Sequence, residues 1–135
     1  MISENLVQNQ VREYFEHECF DVYEEVPMLG NRIDIVATKL TKVIAVEVKV
    51  ADWKRAIQQA ILYRLVADRV YVAIWEDFAH RLDFDVFRHF GIGVLEVNGQ
   101  TKCILPARTS RIIHETVRDR VMQIIKNGGF TDGSR

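Results

Sequence analysis

Leu6, Val7, Val11, Tyr14 and Phe15 recur at the three- and four-residue spacing that puts side chains on one face of a helix. Ser3 followed by Glu4 supplies a helix-start signal, so the pattern predicts a helix from about residue 4 to His17. The rhythm then shortens. Residues 20–28 predict a strand closed by a turn at Leu29-Gly30-Asn31, residues 32–38 a second strand, and residues 43–50 a third. Asp52 suits the N-cap of a helix over 53–68, and the β-branched and aromatic run 70–75 predicts a buried strand. A helix of that length between two strands permits a parallel crossover. Residues 84–90 predict a short helix, and segments 92–97 and 101–105 flank Asn98-Gly99, a two-residue hairpin signal. Thr109 or Ser110 is the expected cap of a last helix reaching about Lys126, and the tail 128–135 is expected to fray. The order is αβββαβαββα, an α/β chain with one mixed sheet flanked by helices.

Composition narrows the class. At 135 residues the chain predicts one domain over 1–127, with enough length for a single core. Apolar residues at 48% and charged residues at 27% fit a water-soluble chain, and no run approaches the roughly 20 apolar residues that span a bilayer. The polar opening MISENLVQNQ lacks a signal-peptide core, so the expected location is cytoplasmic. Cys19 and Cys103 are expected to be free, buried thiols, and His17, His80, His89 and His114 show no zinc spacing. From Gln100 onward seven Lys or Arg stand against three Asp or Glu, although the whole chain carries a formal charge of −1. Such an uneven distribution suits a basic surface for a phosphate backbone beside an acidic centre.

The third predicted strand, VIAVEVKV, places Glu47 and Lys49 in an otherwise apolar run. Alternation puts Ile44, Val46, Val48 and Val50 on the face expected to build the core, with Val43, Ala45, Glu47 and Lys49 on the other. If the hairpin turns between Leu40 and Thr41, Thr38 meets Val43, Val36 meets Ala45, Asp34 meets Glu47 and Arg32 meets Lys49. Like charges placed directly opposite are destabilising and need a reason. One is a four-charge network closed by Arg32 and Lys49. The other is a divalent cation between Asp34 and Glu47, since hard ions such as Mg²⁺ are held by one or two carboxylates, with water and phosphate oxygens completing the shell. An acid-x-Lys triplet alone says little, because about one is expected by chance at ordinary charged-residue abundance. Only Glu47-Val48-Lys49 lies in an apolar strand opposite another acid; Asp52-Trp53-Lys54 is explained by a helix cap.

Asp34 in RIDIVA, then Glu47-Val48-Lys49 in a strand, then Gln59-Ala60-Ile61-Leu62-Tyr63 in a helix, resembles the PD-(D/E)XK nuclease superfamily over roughly residues 3–74. The closest likeness is to small stand-alone nuclease-like members, and Gln59 and Tyr63 match the Gln-x-x-x-Tyr pattern of RecB-like ones. Ile33 stands where the family name has proline. The resemblance implies a restriction-endonuclease-like αβββαβ core with a C-terminal hairpin and helix added. It also implies Mg²⁺ or Mn²⁺ held by Asp34 and Glu47, Lys49 as the catalytic lysine, and Gln59 and Tyr63 as supporting side chains. Glu4 and Glu25 are the candidates for a further metal ligand.

The function expected on this basis is divalent-metal-dependent hydrolysis of DNA phosphodiesters, with Lys54, Arg55 and Arg64 holding backbone phosphates. The expected partner is DNA, with a homodimer as the means of cutting two strands. The alternative is a non-catalytic nucleic-acid-binding or assembly module on the same fold.

Overall fold

Ser3 ends the leading segment by accepting the Leu6 N–H on Oγ at 3.2 Å, and helix α1 runs Glu4–His17 in the computed structural model, which describes residues 2–128. Strands β1 (Asp21–Met28), β2 (Asn31–Lys39) and β3 (Lys42–Lys49) follow as an antiparallel meander. The first turn holds Leu29 at φ 47° and Gly30 at φ 80°, the paired positive angles whose twist matches a tight hairpin. Helix α2 (Trp53–Tyr63) carries the chain back so that β4 (Arg69–Trp75) lies parallel to β3. After the short α3 (Glu76–Ala79) and α4 (Phe84–Phe90), β5 (Gly93–Val97) pairs parallel to β4. Strand β6 (Thr101–Leu105) returns antiparallel, and α5 is Glu115–Asn127. The sheet has six strands in the order β1-β2-β3-β4-β5-β6, and the architecture is α/β with helices on both faces.

Those two layers change the reading of β3. Ile44, Val46 and Val48 pack with Val7, Val11 and Phe15 of α1, as an inward face should. Val43 and Ala45 are buried as well, against Ala56, Ile57 and Ala60 of α2 and Val121 of α5. A strand with neighbours on both sides and helices above and below has no solvent face, so its near-continuous apolar run reflects two cores.

Several local expectations are corrected. Helix α2 stops at Tyr63 instead of Asp68. Its last carbonyls are taken by the tight turn through Val66 and Ala67, and Asp68 instead accepts the Val43 N–H on Oδ2 at 2.8 Å. Neither Thr109 nor Ser110 caps the last helix. Ser110 Oγ donates to the Arg64 carbonyl at 2.7 Å, and His114 Nδ1 accepts the Val117 N–H at 3.3 Å as the cap of α5. The β5–β6 loop is three residues long, since Val97 pairs with Thr101. Both thiols are free but exposed: Cys19 follows the end of α1 at φ 68°, and Cys103 lies on an outer strand. The predicted tail lies outside the described residues except for Gly128, which closes α5 at φ 67°. Among the described residues no helix is long and apolar enough to cross a membrane.

Candidate functional site

The β2–β3 ladder follows the predicted register, with Thr38 opposite Val43, Val36 opposite Ala45 and Ile35 opposite Val46, and there it ends. Beyond that point β2 stays with β1 while β3 stays with β4, so the sheet forks. Asp34 is the first residue past the split, and its side chain takes up what the ladder leaves: Oδ2 accepts the Val48 N–H at 2.7 Å. On the other side Gln8 of α1 donates from Nε2 to the Asp34 carbonyl at 3.3 Å. Backbone polar groups in a sheet interior need partners, and here side chains provide them.

The fork coincides with a slip in strand alternation. Val22 packs on the α1 side, whereas Val26 and Met28, also even positions, pack on the α2 and α5 side. On β2, Ile35 and Ala37 face α1 while Ile33 faces the opposite core. The break falls where Glu25 sits at φ 54°, a left-handed angle that a glutamate adopts only at a cost. One consequence corrects the self-neutralised charge network expected from simple alternation. The slip buries Ile33 and leaves Arg32 exposed, where its charge acts on Glu25 instead of closing a network with Lys49.

Asp34 and Glu47 do come together. Their carboxyl groups are in hydrogen-bond contact, and Glu47 is only 5% exposed. Burial first, and the neighbouring Glu47 charge second, push the Asp34 acid up to about 7 despite the Val48 N–H. Burial also raises Glu47, opposed by the hydrogen bond it receives from Tyr63. Two carboxyls in contact, Glu47 buried and Asp34 half-buried, favour sharing a proton, because ionising both places like charges side by side away from water. Tyr63 Oη lies 2.6 Å from Glu47 Oε1 and 2.9 Å from the Arg32 carbonyl, and burial together with the Glu47 charge raises its own pKa far above the usual phenol value. It is a buried core aromatic whose hydroxyl holds Glu47 in place.

Glu47 opens onto a depression of about 490 Å³ shared with Glu4, Lys49, Asp52, Arg55 and Gln59. The N-terminus of α2 and the end of β3 therefore bring one predicted ligand, the predicted lysine, the predicted glutamine and one predicted phosphate contact to one place. Lys49 Nζ is 3.7 Å from Glu4 Oε2. Glu25 lies against the Asp34 carboxyl, and burial followed by the Asp34 charge raises its pKa. The two remaining predicted cations lie elsewhere. Lys54 is exposed, with Nζ 5.9 Å from the Trp53 ring centroid, and Arg64 lines a different depression at the far end of α2.

Two residues escaped the sequence reading. Gln8 bridges the Asp34 carbonyl and Glu24, and Arg12 pairs with the same Glu24 at 3.3 Å. Their spacing of four residues on α1 marks them as sharing one helix face, but only the fold shows that this face meets the back of the fork. Glu24, as expected for the neighbour of Glu25, points to the opposite side of the sheet from Asp34.

A divalent cation suits the donor set. Glu47 is buried and Asp34 half-buried, both offer hard oxygen donors, and a cation between them would replace a shared proton and remove the like-charge penalty. Among the described residues, no group of three or more His, Cys, Asp or Glu side chains is arranged to hold a metal ion. Glu4 and Glu25 each border the pair without completing a triad.

No protein-family model matches the chain, and no curated protein does. Among solved structures it is similar to the SPO1766 protein of unknown function from Silicibacter pomeroyi, with a TM-score of 0.75 and 17% identity. That match covers 95% of this chain and 87% of the other. Identity that low carries the fold alone.

Proposed function

We propose that the chain is a divalent-metal-dependent nuclease that hydrolyses DNA phosphodiester bonds on a restriction-endonuclease-like core. The observation that carries this reading is the contact of the Asp34 and Glu47 carboxyl groups at the mouth of a sheet fork, with Lys49 bordering the depression onto which Glu47 opens. The helix-meander-helix-strand order of its first four strands agrees with it.

Asp34 and Glu47 would hold Mg²⁺ or Mn²⁺, which would supply Lewis acidity at a phosphoryl oxygen and lower the pKa of bound water. The remaining roles belong to the chain. Tyr63 fixes the Glu47 carboxylate and the Val48 N–H fixes Asp34, so both acceptors are oriented before substrate arrives. Lys49 meets the negative charge that builds on the phosphoryl oxygens during attack. Gln59 and Arg55 line the approach, and Arg55 contacts a flanking phosphate, which positions the strand without reading its sequence. Cutting both strands of a duplex would bring two copies together about a two-fold axis.

The test is a cleavage panel of linear, circular, single-stranded and four-way-junction DNA, each with Mg²⁺, Mn²⁺ or EDTA. Cutting that requires metal and is lost in Asp34→Asn, Glu47→Gln and Lys49→Met is the expected result. No cutting of any substrate at high protein concentration overturns it. The second reading, a nucleic-acid-binding module without catalysis, draws on Glu4 and Glu25 bordering the pair without forming a three-residue metal-holding group among the described residues. It predicts DNA binding that EDTA leaves unchanged.

A further inference from the structure

At the far end of α2 from Arg55, four arginines converge on one depression. Arg64, Arg69, Arg108 and Arg111 line a cavity of about 630 Å³ together with Ala107 and Thr109. No acid lines it, and none of the four arginines has a carboxylate partner among the described residues. In a chain with a formal charge of −1, an uncompensated group of this kind is a local excess that an anion would relieve.

The arginines come from three segments, the end of α2, the start of β4 and the loop between β6 and α5, and the backbone beneath them is fastened. Ser110 Oγ donates to the Arg64 carbonyl at 2.7 Å, and the Ser110 N–H donates to the Asp68 carbonyl at 2.7 Å. Arg108 N–H donates to the Gly91 carbonyl at 3.0 Å, and His114 N–H donates to the Leu65 carbonyl at 2.8 Å. The loop between β6 and α5 is thus tied to the end of α2 and the start of β4 before any ligand binds. Arg108 spends one guanidinium nitrogen on the Arg88 carbonyl at 2.7 Å, so its fork is oriented as well.

We propose that this four-arginine depression is a second anchoring site for the phosphate backbone of duplex DNA, remote from the carboxylate pair. This deepens the nuclease reading and rests on it for the identity of the ligand. A guanidinium offers a two-pronged donor fork, so four of them exceed what a single phosphate can accept and match consecutive phosphates. Arg55 and Arg64 are nine residues apart on and after one helix, roughly 14 Å along its axis at 1.5 Å per residue. A duplex held by the arginines and reaching the Lys49 depression would therefore be gripped at two points along its length. Such grip orients the scissile bond without base contacts.

The experiment is fluorescence anisotropy of a labelled short duplex in EDTA over a salt series, with the intact chain and the double variant Arg69→Ser/Arg111→Ser. Both positions are exposed, and an unchanged melting temperature confirms folding. The expected loss is at least tenfold in affinity at low salt. The slope of log affinity against log salt should fall by about 2, since each phosphate contact contributes about 0.9. Mn²⁺ binding, read as a melting-temperature shift, should be unchanged in the variant. Equal affinity and slope in the two proteins overturns the anchoring site and leaves the nuclease reading standing. If the wild type binds no duplex but binds tripolyphosphate in an Arg69- and Arg111-dependent way, the depression takes a small polyphosphate and the DNA assignment is overturned. Binding of neither overturns the anion site altogether.

Discussion

Replacing Asp34 by Asn should stabilise the metal-free protein, and by an amount that depends on pH. The Asp34 acid stands at about 7 in the fold against an ordinary 3.8, a gap of roughly three units. Each unit is worth about 1.4 kcal/mol, so the full difference is about 4 kcal/mol. Sharing the proton with Glu47 and partial exposure reduce this to roughly 2–4 kcal/mol. A group raised in the folded state favours folding below its unfolded value, and that advantage is lost as pH climbs through the folded value. The window here runs from about 4 to about 7. Asn cannot titrate, yet its carbonyl can still accept the Val48 N–H and its amide can donate to Glu47 in place of the proton. The stability advantage of Asp34→Asn over wild type should therefore widen by about 2–3 kcal/mol between pH 4.5 and pH 8. For a chain of this length that is roughly 8–12 °C in melting temperature. Urea denaturation in EDTA across that range reads the difference directly, and contributions from carboxylates remote from Asp34 cancel between the two proteins. Adding Mn²⁺ should close most of the gap at pH 8, because only wild type gains the roughly 2.7 kcal/mol that a ligand at a hundred times its dissociation constant supplies. A difference that stays constant with pH, or a less stable variant at pH 8, refutes the shared-proton account.

Three further outcomes follow from the packing. Tyr63→Phe should cost about 1–3 kcal/mol by removing the hydroxyl from Glu47 and the Arg32 carbonyl, and it should weaken Mn²⁺ binding; calorimetry and metal titration check both. Arg118→Ala should cost about 1–2 kcal/mol at pH 7, because Arg118 bridges Asp68 at 2.9 Å and the Thr41 carbonyl at 3.0 Å. The hydrogen bond from Arg118 helps hold Asp68 below the usual carboxylate range against the opposing effect of burial, so that loss should fade as pH drops below about 4, and urea midpoints at pH 7 and pH 3 test it. Gly93→Ala should cost 2 kcal/mol or more, seen as a lower unfolding midpoint or insoluble protein, since a Cβ there meets the Tyr71 ring and lies 2.6 Å from the Ala107 amide nitrogen.

Much of the carboxylate pair was legible because a hairpin register is set by its turn. Once Leu40 and Thr41 are placed at the bend, the pairing of Val36 with Ala45 follows, and Asp34 falls beside Glu47. The parallel β3-α2-β4 crossover was legible for a similar reason, since the length of the intervening helix leaves few alternatives. What alternation could not reveal is the slip at Glu25 and Asp34. A left-handed glutamate carries no propensity signal, yet it decides that Arg32 turns outward and Ile33 inward. Helix ends were hidden for another reason: His114 caps α5 because Ser110 is needed by the Arg64 carbonyl, a tertiary demand. The arginine group was invisible along the chain because its members span residues 64 to 111 and meet only through the fold.

The fork gives the site its own indicator. In a regular ladder the Val48 amide would face a neighbouring strand carbonyl, whose electron density is indifferent to pH or ions. Here it faces Asp34 Oδ2 at 2.7 Å, so its nitrogen and proton resonances register whether that oxygen belongs to an acid, an anion or a cation's coordination shell. A single backbone peak from a buried valine, followed in a heteronuclear NMR spectrum, would thus read the chemical state of the pair from within, with no substrate, label or substitution at the site.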